Sequence, residues 1–139
     1  MNRSIAILLV DDSLDERRKM AGLLEEAGYN SVVAEASDGR EALDQLKLFK
    51  KTQLVITKLG DMPGMGGADF LICMNRRELC HIPYVVVMDE VPELMPLFHE
   101  HSGRLVKPFT SSELDEAIRN ALHGSTEPQH RITPTPCKP

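Results

Sequence analysis

The sequence predicts an α/β fold in which a parallel sheet of five strands lies between two layers of helices. Three observations carry that expectation. Short apolar runs rich in β-branched residues alternate with segments whose apolar residues recur every three or four positions. Several of the runs are apolar at every position, as strands covered on both faces are. Gly, Pro and Asp close the runs, which is the punctuation of strand-to-helix turns. At 139 residues the chain is long enough to bury a core of this kind in one domain.

The elements follow in order. Residues 5–10 (IAILLV) form the first strand. Ser13 opens the first helix, with Glu16 completing a capping box and Met20, Leu23, Leu24 and Ala27 as its inner stripe. Gly28 is the stop. Residues 31–36 (SVVAEA) form the second strand. Asp38 and Glu41 repeat the cap signature, and Ala42, Leu43, Leu46 and Phe49 carry the apolar face of the second helix. The third strand, residues 53–59 (QLVITKL), is closed by a Gly- and Pro-rich loop. Its last residues reach the carboxyl edge of the sheet, where such folds place their chemistry. A lysine, Lys58, stands there.

The third helix spans residues 68–77, with Phe70, Leu71 and Met74 inward. Residues 82–88 (IPYVVVM) form the fourth strand, with Pro83 tolerable only near its start. Residues 91–101 contain Pro92 and Pro96. Because Pro96 removes an interior hydrogen bond, a short distorted helix or an irregular turn is expected there. Residues 103–107 give the fifth strand. Thr110 and Glu113 cap a last helix with Leu114, Ile118, Ala121 and Leu122 on its inner face. Residues 125–139 hold four prolines and no apolar period, so a folded domain at 1–124 and a flexible tail or linker at 125–139 are expected.

Composition narrows the function classes. The formal charge of −5 leaves no basic stripe for nucleic acid. The first apolar run is too short to span a membrane and runs straight into Asp11 and Asp12. Cys73, Cys80 and Cys137 are odd in number and scattered, which fits a reducing cytoplasm. With His81 they lack the paired spacing of a zinc site.

Four motifs stand in sequence order at strand ends and a helix start: Asp11–Asp12–Ser13, Asp38–Gly39–Arg40–Glu41–Ala42–Leu43, Met62–Pro63–Gly64–Met65 and Lys107–Pro108–Phe109. Together they resemble the receiver domain of two-component response regulators, over residues 5–123. The resemblance implies a flavodoxin-like sheet of strand order 2-1-3-4-5. It also implies a cytoplasmic signalling module that is not an enzyme, with a histidine kinase or a downstream output protein as partner and possible homodimer formation. In receivers of the phosphorelay type, an aspartate ending the third strand accepts a phosphoryl group. The acidic pair helps hold Mg²⁺, and the lysine before proline contacts the phosphoryl oxygens. A hydroxyl residue and an aromatic residue report the event.

Asp11, Asp12 and Lys107 match that pattern. The acceptor position, however, holds Lys58, the hydroxyl position Met88 and the aromatic position Arg104, with one residue inserted before Met62. An ammonium cannot replace a carboxylate as the phosphoryl acceptor. Two acids facing two lysines balance without a metal, so Mg²⁺ binding at Asp11 and Asp12 is expected to be weak or absent and no cofactor is required. The expectation is a pseudo-receiver in which Lys58 serves as an internal counterion to Asp11 and Asp12. Local alternatives stay open: Asp11 and Asp12 as helix caps, Lys107 and Lys58 as solvated lysines, Asp89 and Glu90 as loop charges, Met62 and Met65 as loop packing. Two other functions compete. One is a phospho-accepting receiver that uses Asp61 with Mg²⁺. The other is a flavin or nucleotide binder, disfavoured because the acids after the first strand repel phosphate.

Overall fold

The computed structural model describes residues 4–29, 32–76, 79, 81–91 and 102–123, with residues 32 and 33 as backbone alone. Nine elements follow in the order β1 (Ile7–Val10), α1 (Leu14–Glu26), β2 (Val32–Ala36), α2 (Gly39–Leu48), β3 (Leu54–Lys58), α3 (Gly67–Arg76), β4 (Tyr84–Met88), β5 (Ser102–Val106) and α4 (Ser111–His123). The five strands form one sheet, all pairs parallel, in the order β2-β1-β3-β4-β5. The expected flavodoxin-like arrangement is therefore the one observed. The expectations for Pro92, Pro96, Cys80, Cys137 and residues 125–139 lie outside the described residues.

Strand alternation divides the core into two clusters. Leu8, Val10, Val55, Tyr84, Val86 and Met88 face α2 and α3, together with Leu43, Phe70 and Met74. Ile7, Leu9, Leu54, Ile56, Val85, Val87 and Leu105 face α1 and α4, together with Leu24, Leu114 and Ile118. β1, β3 and β4 thus feed both faces, which explains runs that are apolar at every position. Met62 joins the first cluster and Met65 packs against it, so both are loop packing.

Two expectations about the helices need correction. Phe49 is not on the inner face of α2: it is the C-cap, with φ −108° and ψ 76°, and is 41 % exposed. The helix ends one residue before Phe49 would return to the apolar stripe. The three capping boxes also differ. At α4 the box is complete, with Thr110 N–H donating to Glu113 and Glu113 N–H to Thr110 Oγ1. At α2, Asp38 accepts from Glu41 N–H, but the Glu41 carboxylate accepts from Ser37 N–H. At α1, Ser13 accepts from Glu16 N–H at 3.2 Å, while Ser13 N–H is taken by Asp11 Oδ1 at 2.9 Å. That leaves the Glu16 carboxylate free of the cap.

Some boundaries shift by a residue or two. β1 begins at Ile7 rather than residue 5, β5 ends at Val106 rather than at Lys107, and α3 begins at Gly67. The last shift has a packing cause. A Cβ on Gly67 would lie 1.8 Å from the Lys58 carbonyl oxygen, so α3 starts pressed against the end of β3. Gly67 N–H donates to Gly60 O and Ala68 N–H to Leu59 O, fixing the loop between them.

Two glycine-to-alanine changes are expected to act in opposite directions. Gly22 lies inside α1 with nothing within 4 Å of a built Cβ, so Gly22→Ala should stabilise by about 1 kcal/mol. Gly67→Ala should cost about 1–3 kcal/mol by forcing backbone apart. Urea titrations of the two variants measure both signs.

Candidate functional site

The period-2 rule carries the sheet's apolar layer directly into its charges. Leu9, Ile56, Val87 and Leu105 lie on the α1/α4 face of β1, β3, β4 and β5. Two residues further along each chain stand Asp11, Lys58, Asp89 and Lys107. Parallel strands end at the same edge, so the four line one cavity. In sheet order the row reads acid, lysine, acid, lysine.

Two ion pairs tie this row to α1 and the turn before it. Lys58 Nζ donates to Asp12 Oδ1 at 2.9 Å. Lys107 Nζ donates to Glu16 Oε1, the carboxylate the cap left free, and Lys19 stands 3.2 Å from the other Glu16 oxygen. Asp89 lies 3.7 Å from Lys107 and is 79 % exposed, so it is largely a solvated charge that still completes the alternation. Arg17 donates to the Asp11 carbonyl and, at 2.8 Å, to Glu35 on β2. The far end of α1 is held by Tyr29 Oη, which donates to Asp115 of α4 at 2.6 Å.

Lys58, expected as a counterion to both acids, makes its direct bond to Asp12 and acts on Asp11 through its charge. Lys107, expected to face the acidic pair, bonds to Glu16. The capping signature had given Glu16 to the helix start, and Lys107 is 91 residues away in sequence.

Protonation follows these contacts. The Lys58 hydrogen bond holds the Asp12 carboxyl below its usual value, and the same bond raises Lys58. The bonds from Lys107 and then Lys19 hold Glu16 low. Burial works against the Lys107 charge, but its bond to Glu16 and the nearby acids outweigh this and raise it. Asp11 goes the other way: burial raises its carboxyl, offset in part by Ser13 N–H and by the charges of Lys107 and Lys58.

The remaining sequence-derived positions are apart from this row. Met88 is 5 % exposed and packs in the α2/α3 cluster, on the opposite face from Lys58. Arg104 is exposed on β5, and Asp61 is exposed on the β3–α3 loop. Neither Asp61 nor Met88 lines the cavity that holds Asp11, Lys58 and Lys107. Among the described residues, no three His, Cys, Asp or Glu side chains gather closely enough to hold a metal ion.

Comparison with known proteins agrees with this fold. The family that matches is the response regulator receiver domain, over residues 7–119. The chain is 34 % identical over 122 residues to chemotaxis protein CheY-3 of Vibrio cholerae, covering 85 % of this chain and 92 % of that one. It is 30 % identical over 132 residues to the probable transcriptional regulator ycf27 of Cyanophora paradoxa, covering 93 % of this chain and 53 % of that one. A crystal structure of a response regulator receiver domain protein from Clostridium thermocellum superposes with a TM-score of 0.67 at 26 % identity, covering 85 % of this chain and 94 % of that one.

The opposed shifts predict a pH-dependent variant. Asp12 and Glu16, held low, contribute stability that is present above about pH 4 and lost as pH falls through their lowered values. Asp11, held high, contributes stability that is fully present below about pH 4 and lost as pH rises through its raised value. Asp11→Asn keeps an acceptor for Ser13 N–H and removes that loss. Its melting temperature should exceed that of the unaltered protein at pH 7, with the gap closing toward pH 3.

Proposed function

The chain belongs to the response regulator receiver domain family, and within that family we propose that it is a phosphorylation-independent protein-interaction module. On this reading Lys58 takes the place of the phospho-accepting aspartate, and a kinase or a downstream output protein reads the domain by binding it. A second copy of the chain is a further candidate partner. The observation that carries the proposal is the Lys58 ammonium 2.9 Å from Asp12 Oδ1.

The donor set supports the same conclusion about Mg²⁺. A divalent ion held by Asp11 and Asp12 needs hard oxygen ligands around it, yet one of these carboxylates already carries an ammonium and no third acid closes the set among the described residues. These residues do not fit the ion. Met88, buried among apolar side chains, offers no hydroxyl to a phosphoryl oxygen. The row of Asp11, Lys58, Asp89 and Lys107 balances its own charge, which favours a domain read by its surface rather than by a change of charge.

Incubation with a small phosphodonor and Mg²⁺, followed by intact mass, tests the reading. No mass gain is expected. A labile gain of one phosphoryl group that disappears in Asp61→Asn would instead assign the acceptor to Asp61 and restore phosphoryl signalling. In the same preparation, Lys58→Asp should lower metal-free stability by about 1 kcal/mol, by trading an attraction for a repulsion. That variant should regain the loss on adding Mg²⁺.

A further inference from the structure

The cavity continues past the charged row into an apolar recess. The whole cavity, charged mouth included, has a volume of about 680 Å³, within the range of small-molecule sites. Leu9, Ile56 and Val87 form the inner wall, and Met20, Leu23 and Phe109 the sides. The recess lies between α1 and the turn after β5. α1 is tied near its start by Glu16 to Lys107, and the chain just past its end by the Tyr29 hydroxyl to Asp115, so bonds lie on either side of the space beneath its middle.

The polar groups at the mouth define what would fit. Lys58 and Lys107 already donate to Asp12 and Glu16, and Arg17 to Glu35 and the Asp11 carbonyl. Their charges are answered within the protein, so an anionic ligand would have to compete with an existing partner. Asp11 differs. Its Oδ1 accepts from Ser13 N–H, while no ammonium or guanidinium of the described residues lies within 4 Å of its carboxylate. The charges of Lys107 and Lys58 already act on this carboxylate from further off and would repel a cationic ligand, so its spare acceptor capacity calls for a donor that brings no charge.

We propose that this recess is a binding site for a small neutral molecule with a flat apolar body and one hydroxyl or amide N–H donor directed at Asp11. The ring system would lie against Leu9, Ile56 and Val87, beneath Met20 and Leu23, with Phe109 on its flank. This goes beyond the signalling reading and is independent of whether any residue accepts phosphate. A bound molecule would wedge between α1 and the β5 end, the two parts joined by the Lys107–Glu16 pair.

Three probes of one shape decide it: 2-naphthol, 2-naphthoate and 2-naphthylmethylammonium, titrated into the intact chain without phosphodonor or Mg²⁺. Saturable binding of 2-naphthol is expected, at least about tenfold tighter than either charged probe. Its amide shift changes should centre on Met20, Leu23, Ile56 and Phe109. Met20→Trp, which fills the recess, should weaken it about tenfold or more. Absence of saturable binding, a preference for a charged probe, or shift changes centred elsewhere would overturn the proposal. The shift map decides even if the tryptophan variant does not fold. Because no phosphodonor is present, failure here leaves the reading of Lys58 standing.

Discussion

Four parallel strands that end at one edge must resolve the charges they carry there, and here they do so by alternation. Asp11, Lys58, Asp89 and Lys107 succeed Leu9, Ile56, Val87 and Leu105 on one face of the sheet. Opposite charges on adjacent strands attract, and like charges directly opposite repel. An aspartate in place of Lys58 would set three acids side by side against one lysine, a row that needs an outside cation. With lysine in the row, the neutralising charge is part of the chain.

Much of the surrounding structure serves that row. The close approach of Gly67 to the Lys58 carbonyl fixes where β3 stops, and the loop bonds from Gly67 and Ala68 hold it there. α1 supplies Glu16 to Lys107, the preceding turn supplies Asp12 to Lys58, and Arg17 ties the same helix to β2. Each pair is partly exposed and individually modest in energy. Their effect is geometric: they join the sheet edge to the first helix and the turn before it in one arrangement, with Asp11 left as the part-buried acid at the β1 end of the row.

The fold was legible because strand and helix periods rarely conflicted. Runs such as YVVVM could be placed from composition alone, and both core clusters follow from alternation once the strands are known. Phe49 was misplaced because periodicity says which face a residue takes only while the helix lasts. Within the site, Asp11, Asp12, Lys58 and Lys107 could be found from motifs at strand ends. Glu16 was not, since three residues after Ser13 it carries a local capping signal, whereas its partner comes from the far end of the domain. Ser13 N–H going to Asp11 is what released it. Asp89 did have a signal: it follows Val87 by two, as Asp11 follows Leu9 and Lys58 follows Ile56. Counting across four strands, rather than along one, reveals the row.

The central claim is that Lys58 is the built-in counterion of the acidic edge, and a double-mutant cycle on Lys58 and Asp12 measures it most directly. Stabilities of the unaltered chain, Lys58→Met, Asp12→Asn and the double variant give the coupling between the two side chains. A favourable coupling of about 0.5–1 kcal/mol that fades with added salt is the predicted result. Zero coupling, with Lys58→Met as stable as the unaltered chain, would contradict it.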